Sequence, residues 1–143
     1  MLGVFSALEV SASGLSAERI RMNTTASNLA NARTTRTAQG GPFHRLDPVF
    51  EAVGLDRLRG LPSMQRGVSL VRVSKIQEDQ RPGTMEYDPS HPDANGQGYV
   101  TYPNVNAVEE MVNMITATRA YEAGVTSINS IKQMARSALE IGR

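Results

Sequence analysis

All seven prolines of this 143-residue chain fall between Pro42 and Pro103, as do or nearly do eight of its twelve glycines, from Gly40 to Gly98. Proline lacks the backbone donor a helix needs, and its ring clashes with the preceding turn. Only the two ends are therefore free to form long helices. The apolar periodicity predicts helices over residues 6–31 and 107–141, flanking a turn- and strand-rich middle. At ~1.5 Å per residue these are very roughly 40 and 50 Å long, longer than most helices of globular domains. The expected fold class is α+β, with the two terminal helices forming an antiparallel coiled coil. The expected division is residues 1–33 and 104–143 as the paired terminal helices, and 34–103 as a β-containing middle.

Both ends repeat at steps of three and four. The N-terminal seam runs through Phe5, Leu8, Ala12, Leu15, Arg19, Met22, Ala26 and Leu29. The C-terminal one runs through Met111, Met114, Thr118, Tyr121, Val125, Ile128, Lys132, Ala135 and Leu139. This is the spacing of helices that pack along a shared stripe. Ser6 with Glu9, and Asn106 with Glu109, have the spacing of capping boxes. Away from the seams, a solvated helix usually carries Lys and Glu. Here the positions are Ser11, Ser13, Ser16, Asn23, Thr24 and Ser27, and between Glu110 and Lys132 the only charges are Arg119 and Glu122. Gly14 and Gly124 each cost about 1 kcal/mol relative to Ala, so these helices are weak alone. A two-helix hairpin with a poor surface is the simple reading. Burial of both faces among other copies explains the missing charge better.

In the middle, residues 31–42 (NARTTRTAQGGP) have loop composition. Residues 49–53 and 68–76 are β-branched and read as strands. Residues 54–67 (GLDRLRGLPSMQRG) read as a mobile insertion. Between Glu86 and Asn104, Pro89, Pro92, Gly96, Gly98 and Pro103 enforce turns.

Chemistry-bearing patterns are scarce. The absence of cysteine excludes disulfides, zinc ribbons, iron–sulfur clusters and thiol catalysis. Asp93-Ala-Asn95-Gly-Gln97-Gly98 imitates a calcium loop, but Asn104 stands where the bidentate Glu belongs, and Pro89 and Pro92 bar the entering helix. A plain turn is the better reading, so no metal or cofactor is expected. His91 stands beside Asp88 and Asp93 and could ligate a metal, but the two intervening prolines point to a turn; His44 is alone, and no phosphate loop or nucleophile elbow appears. The middle is rich in Arg while the chain has two lysines, but its net charge is only +1 and acids interleave. That balance suits protein interfaces better than nucleic acid. No apolar stretch approaches the ~18 residues of a membrane span. No basic residue precedes Arg19, so no cleavable secretory signal is expected.

Two stretches carry a family resemblance. Ala26-Ser27-Asn28-Leu29-Ala30-Asn31-Ala32, followed by Thr34 and Thr35, resembles the N-terminal signature of the flagellar axial proteins, the rod, hook and filament-joining family. Tyr87-Asp88-Pro89-Ser90-His91-Pro92-Asp93, Gly98-Tyr99-Val100, Tyr102-Pro103-Asn104-Val105-Asn106, Glu109-Glu110-Met111 and Arg119-Ala120-Tyr121-Glu122 are similar to the rod members of that family. The local departures are Phe43-His44-Arg45 and the additional Gln97. The resemblance implies a non-catalytic subunit of the proximal rod that transmits motor torque to the hook. It implies export through the flagellar type III apparatus without a cleaved signal, and a place in the periplasmic part of the basal body. Its implied partners are copies of itself, other rod proteins and basal-body ring proteins, with no nucleic acid and no insertion into membrane. Asn28 to Asn31 would turn the chain out of the inner helix, and Asn104 and Asn106 would bring it back. The alternatives are a neighbouring axial protein and an Arg-rich nucleic-acid adaptor.

Overall fold

A computed structural model describes residues 2–54 and 68–141. The proline-free ends form α1 (Leu2–Ala30) and α2 (Ala107–Ile141), 29 and 35 residues long. At ~1.5 Å per residue they extend about 44 and 52 Å. They lie antiparallel along their length: Asn28 reaches Glu110, Met22 reaches Thr118, and Leu15 abuts Gly124. The start of α2 is set by Asn106, whose Oδ1 accepts from the N–H groups of Val108 and Glu109 at 3.0 and 3.3 Å. This is N-capping, which satisfies donors that have no partner inside the helix. The expected cap at Ser6 is corrected, because α1 begins four residues earlier and Ser6 is buried within it. Lys132 and Arg136, which by sequence suit the negative end of α2, lie short of its last turn, which contains no basic residue among those described.

The middle builds two antiparallel pairs. Strands β1 (Leu46–Gly54) and β2 (Ser69–Glu78) align Leu46 with Glu78 and Gly54 with Ser69. The register shifts between Val49 and Phe50, where Ser74 is the extra residue and its hydroxyl donates to the Val49 carbonyl at 3.2 Å. Such a bulge bends the ribbon. The expected mobile insertion, 54–67, lies outside the described residues except for Gly54, the last residue of β1. Strands β3 (Thr84–Tyr87) and β4 (Tyr99–Tyr102) form the second pair. Gly83 cannot carry a side chain, because a Cβ there would overlap the Tyr102 carbonyl oxygen. Gly98 closes the β3–β4 turn at φ 80°, a left-handed conformation that favours glycine.

Helix α1 lies at the centre of the arrangement, packed against α2 and also against β1 and β2. Apart from Pro103, only Ala17, Val100 and Ala117 are buried apolar residues among those described. The small side chains at the α1–α2 contact let the helices approach closely but remove little apolar area from water. A core this thin is unusual for a protein that functions as a monomer.

The seam of α2 is rotated from its expected position. The buried or half-buried residues are Ala107, Glu110, Asn113, Met114, Ala117, Thr118, Tyr121, Gly124, Ile128, Ile131 and Ala135, mostly at steps of three and four. Of the expected seam, Met114, Thr118, Tyr121, Ile128 and Ala135 belong to that stripe, but Met111, Val125, Lys132 and Leu139 do not and are exposed. The expected stripe preferred large apolar side chains, whereas the contact with α1 uses Ala117, Gly124 and a carboxylate. On α1, Leu8, Leu15, Met22 and Leu29 are half-buried, while the intervening Phe5, Ala12, Arg19 and Ala26 are exposed. The fully buried α1 positions are instead Ser6, Ala17, Thr24, Thr25 and Asn28.

Candidate functional site: a buried polar junction and an open helix face

Where α1 ends, β1 begins and α2 begins, three side chains converge. Asn28 and Glu110 are each 1% exposed, the two largest fully buried polar side chains among those described. The Asn28 carboxamide behaves as a short piece of strand. Its Oδ1 accepts from the Leu46 N–H at 2.8 Å, and its Nδ2 donates to the Leu46 carbonyl at 2.9 Å. The same Nδ2 donates its second proton to Glu110 Oε2 at 3.1 Å. Arg45 Nε donates to Glu110 Oε1 at 2.8 Å, and its Nη1 lies 3.3 Å from Asp47. Both oxygens of the buried carboxylate are thus bonded, the condition under which such a group is tolerated. Burial alone would pull the Arg45 guanidinium down. Its hydrogen bond and attraction to Glu110, with help from Asp47, outweigh that and hold it above the usual arginine value.

Asn104 extends the junction to the end of the hairpin. Its Oδ1 accepts from the Arg45 N–H at 2.9 Å, and its Nδ2 donates to the Asp79 carbonyl at 3.1 Å. The Asp79 N–H returns to the Arg45 carbonyl at 2.7 Å. The Asp79 carboxylate faces Arg81, whose Nε and Nη2 donate at 2.8 and 2.6 Å. Hydrogen bonds from the Arg81 side chain and backbone hold Asp79 down at about 2, against an ordinary 3.8. By linkage, a lowered carboxylate favours the folded state above pH ~4, and the contribution fades as pH falls towards 2.

The expected motif residues divide between the junction and the surface. Ser27 accepts at its carbonyl from the Asn31 N–H and side chain, and Asn31 Oδ1 accepts from Thr34 at 3.1 Å, so Asn31 shapes the exit from α1. Leu29 is half-buried and its carbonyl accepts from the Ala32 N–H, while Ala30 is exposed. Pro103 is buried beside the junction, Val105 is half-buried, and Asn106 caps α2. Glu109, Met111 and Arg119 are exposed, and Tyr121 is half-buried on the α1 side. Sequence reasoning missed Arg45 as a site residue and chose Glu109 over Glu110. The available signal was the spacing: Glu110 stands on the same stripe as Met114, Ala117 and Tyr121, where a charge demands a partner.

The turn between β3 and β4 uses its acids and amides internally. Asp88 Oδ1 accepts from the Ser90 hydroxyl and N–H, which lowers its pKa, and Asn95 Oδ1 accepts from the N–H groups of Gln97 and Tyr99. Asp93 accepts from Thr35 at 2.8 Å and faces Arg36 at 3.6 Å, tying this turn to the loop after α1. These bonds make it a structural turn. Among the described residues no group of three or more potential ligands converges on a metal position.

The outer surface of α2 is the second feature. Val108, Met111, Val112 and Ile115 follow one another at i, i+3, i+4 and i+7, and are 70%, 50%, 57% and 56% exposed. Four large apolar side chains on one face exceed the scattered exposure of an ordinary surface. Further along α2, the hydroxyls of Thr116, Thr126, Ser127 and Ser130 donate to carbonyls four residues back. Their donors are satisfied within the helix, so this surface can be covered by another helix without stranding them. No described helix is long and apolar enough to cross a membrane.

Comparison with known proteins agrees with this anatomy. Residues 8–36 match the family described as flagella basal body rod protein, and residues 97–141 match the C-terminal region of the flagellar basal body rod FlgEFG proteins. The chain is 45% identical over 149 residues to the flagellar basal-body rod protein FlgC of Borreliella burgdorferi, covering 98% of each chain. It is 44% identical over 147 residues to that of Bacillus subtilis, covering 97% of this chain and 98% of the relative. With the Escherichia coli O6:H1 protein of the same name the identity is 34% over 142 residues, covering 99% of this chain and all of the relative. The matched segments hold both strands of evidence, α1 with Asn28 and α2 with Glu110 and the open stripe, and the chain belongs to the FlgC family of flagellar basal-body rod proteins.

Proposed function

We propose that this chain is a structural, non-catalytic subunit of the proximal rod, and that it is held there through the open face of α2. The observation that carries the reading is the pairing of a thin apolar core among the described residues with the exposed stripe Val108, Met111, Val112 and Ile115. A chain that leaves its larger apolar side chains outside and buries alanines acquires most of its apolar burial on assembly. Its partners in this reading are copies of itself and other rod proteins along α2, with basal-body ring proteins against the outer strands. Residues 1–33 and 104–143 would form the inner layer around the axis, and 34–103 the outer one. The subunit would reach the periplasm through the flagellar type III apparatus without a cleaved signal.

Basal bodies isolated from flagellated cells, stripped with nuclease and high salt, test this directly. The chain is expected to remain in the rod fraction in fixed proportion to other rod proteins. Loss with nuclease, or with a steep salt dependence, would instead identify a nucleic-acid adaptor.

A further inference from the structure

We infer that the Asn28–Glu110–Arg45 junction is a register lock, which selects one alignment of α1 against α2 among alignments one heptad apart. The inference goes beyond membership of a rod, since it concerns how the single subunit chooses its own fold.

The contact between the helices specifies its alignment weakly. Its buried apolar members are Ala17 and Ala117, while the larger side chains along it, among them Leu15, Met22, Tyr121 and Ile128, are only half-buried. Small side chains make shallow knobs, and the stripe of α2 repeats at steps of three and four. A slide of seven residues, about 10 Å along the axis, keeps the three–four stripe facing α1 and puts Ala117 or Ile131 in place of Gly124 against Leu15. The junction does not repeat. Such a slide sets Ala117 or Pro103 opposite Asn28 in place of Glu110, and neither offers a side-chain acceptor. Asn28 also holds both backbone groups of Leu46, and Glu110 holds Arg45, so the slide would strip the entry to β1 of its partners as well. Buried polar groups fixing register is the best-attested use of such groups in helical assemblies. Here the lock sits at one end of the pair and ties the hairpin to the same alignment.

The absence of cysteine allows a direct test. Nitroxide labels at Asn23→Cys and Ser130→Cys, both exposed positions on opposite helices, report the alignment as a spin–spin distance. The otherwise unaltered full-length subunit is expected to give one narrow distance. The apolar triple variant Asn28→Leu, Arg45→Met, Glu110→Leu is expected to keep its helical circular dichroism and to show a second population displaced by nearly 10 Å, about one heptad. A single narrow distance in the triple variant overturns the inference. If the triple variant loses its helical signal, Asn28→Ser decides, since serine cannot span Leu46 and Glu110 together. A second distance there supports the lock; one narrow distance, or an unfolded chain, overturns it.

Discussion

Cells whose only copy of this subunit carries Val112→Asp are expected to export it, build no complete rod and fail to swim. Val112 lies in the middle of the open α2 stripe and is more than half exposed in the single subunit. An aspartate there meets water in the free chain, where a surface change is worth within about 0.5 kcal/mol. The purified variant should therefore match the parent in helical content and urea midpoint. In the assembled rod the same carboxylate would be pressed into an apolar contact. It must then lose its hydration at a cost of several kcal/mol or take up a proton. The defect recurs at every copy of the subunit. Normal rods and swimming would show that the stripe is not an assembly surface, however apolar it is.

Glu110→Ala acts on the subunit itself. It removes the acceptor of Arg45 Nε and of the second Asn28 Nδ2 proton, leaving a largely buried guanidinium without its main partner. Removing one member of a buried, hydrogen-bonded ion pair typically costs roughly 3–5 kcal/mol. That is a large share of the ~5–15 kcal/mol of an ordinary domain, and the few buried apolar side chains among the described residues offer little to offset it. Urea denaturation should show the midpoint falling sharply. Glu110→Gln keeps the shape and one strong acceptor, and should lose distinctly less. A loss below about 1 kcal/mol for Glu110→Ala would mean that the pair is solvated and the junction is not a structural centre.

The helices were legible in the sequence because proline placement and three–four spacing are local signals. So was the cap of α2, where Asn106 stands at the right distance before Glu109. Strands β1 and β2 were legible in outline, whereas β4 and part of β3 lie in a stretch read as turns. The extent of β1 was not legible either: it begins at Leu46, whose backbone is paired by the Asn28 side chain, a contact from 18 residues away. The orientation of α2 was misjudged for a related reason. Apolar size marks the face that will be buried somewhere, and in an assembling subunit that need not be the face buried within the chain. Met111, Val125 and Leu139 are large and outward, while Ala117 and Gly124 are small and inward. Glu110 shows the limit most clearly. A carboxylate on a helix reads as a solvated surface group until Arg45 and Asn28, 65 and 82 residues distant in sequence, are seen to hold it.

The α2 stripe is exposed in the single subunit and, as the proposed assembly surface, would be covered in the rod. Because the chain has no cysteine, Val112→Cys gives a single reporter at that position. A maleimide reagent should modify it rapidly in the purified subunit and leave it protected in intact basal bodies, with reactivity returning when the rod is dissociated. Equal labelling in the free subunit and in the intact rod would contradict the account.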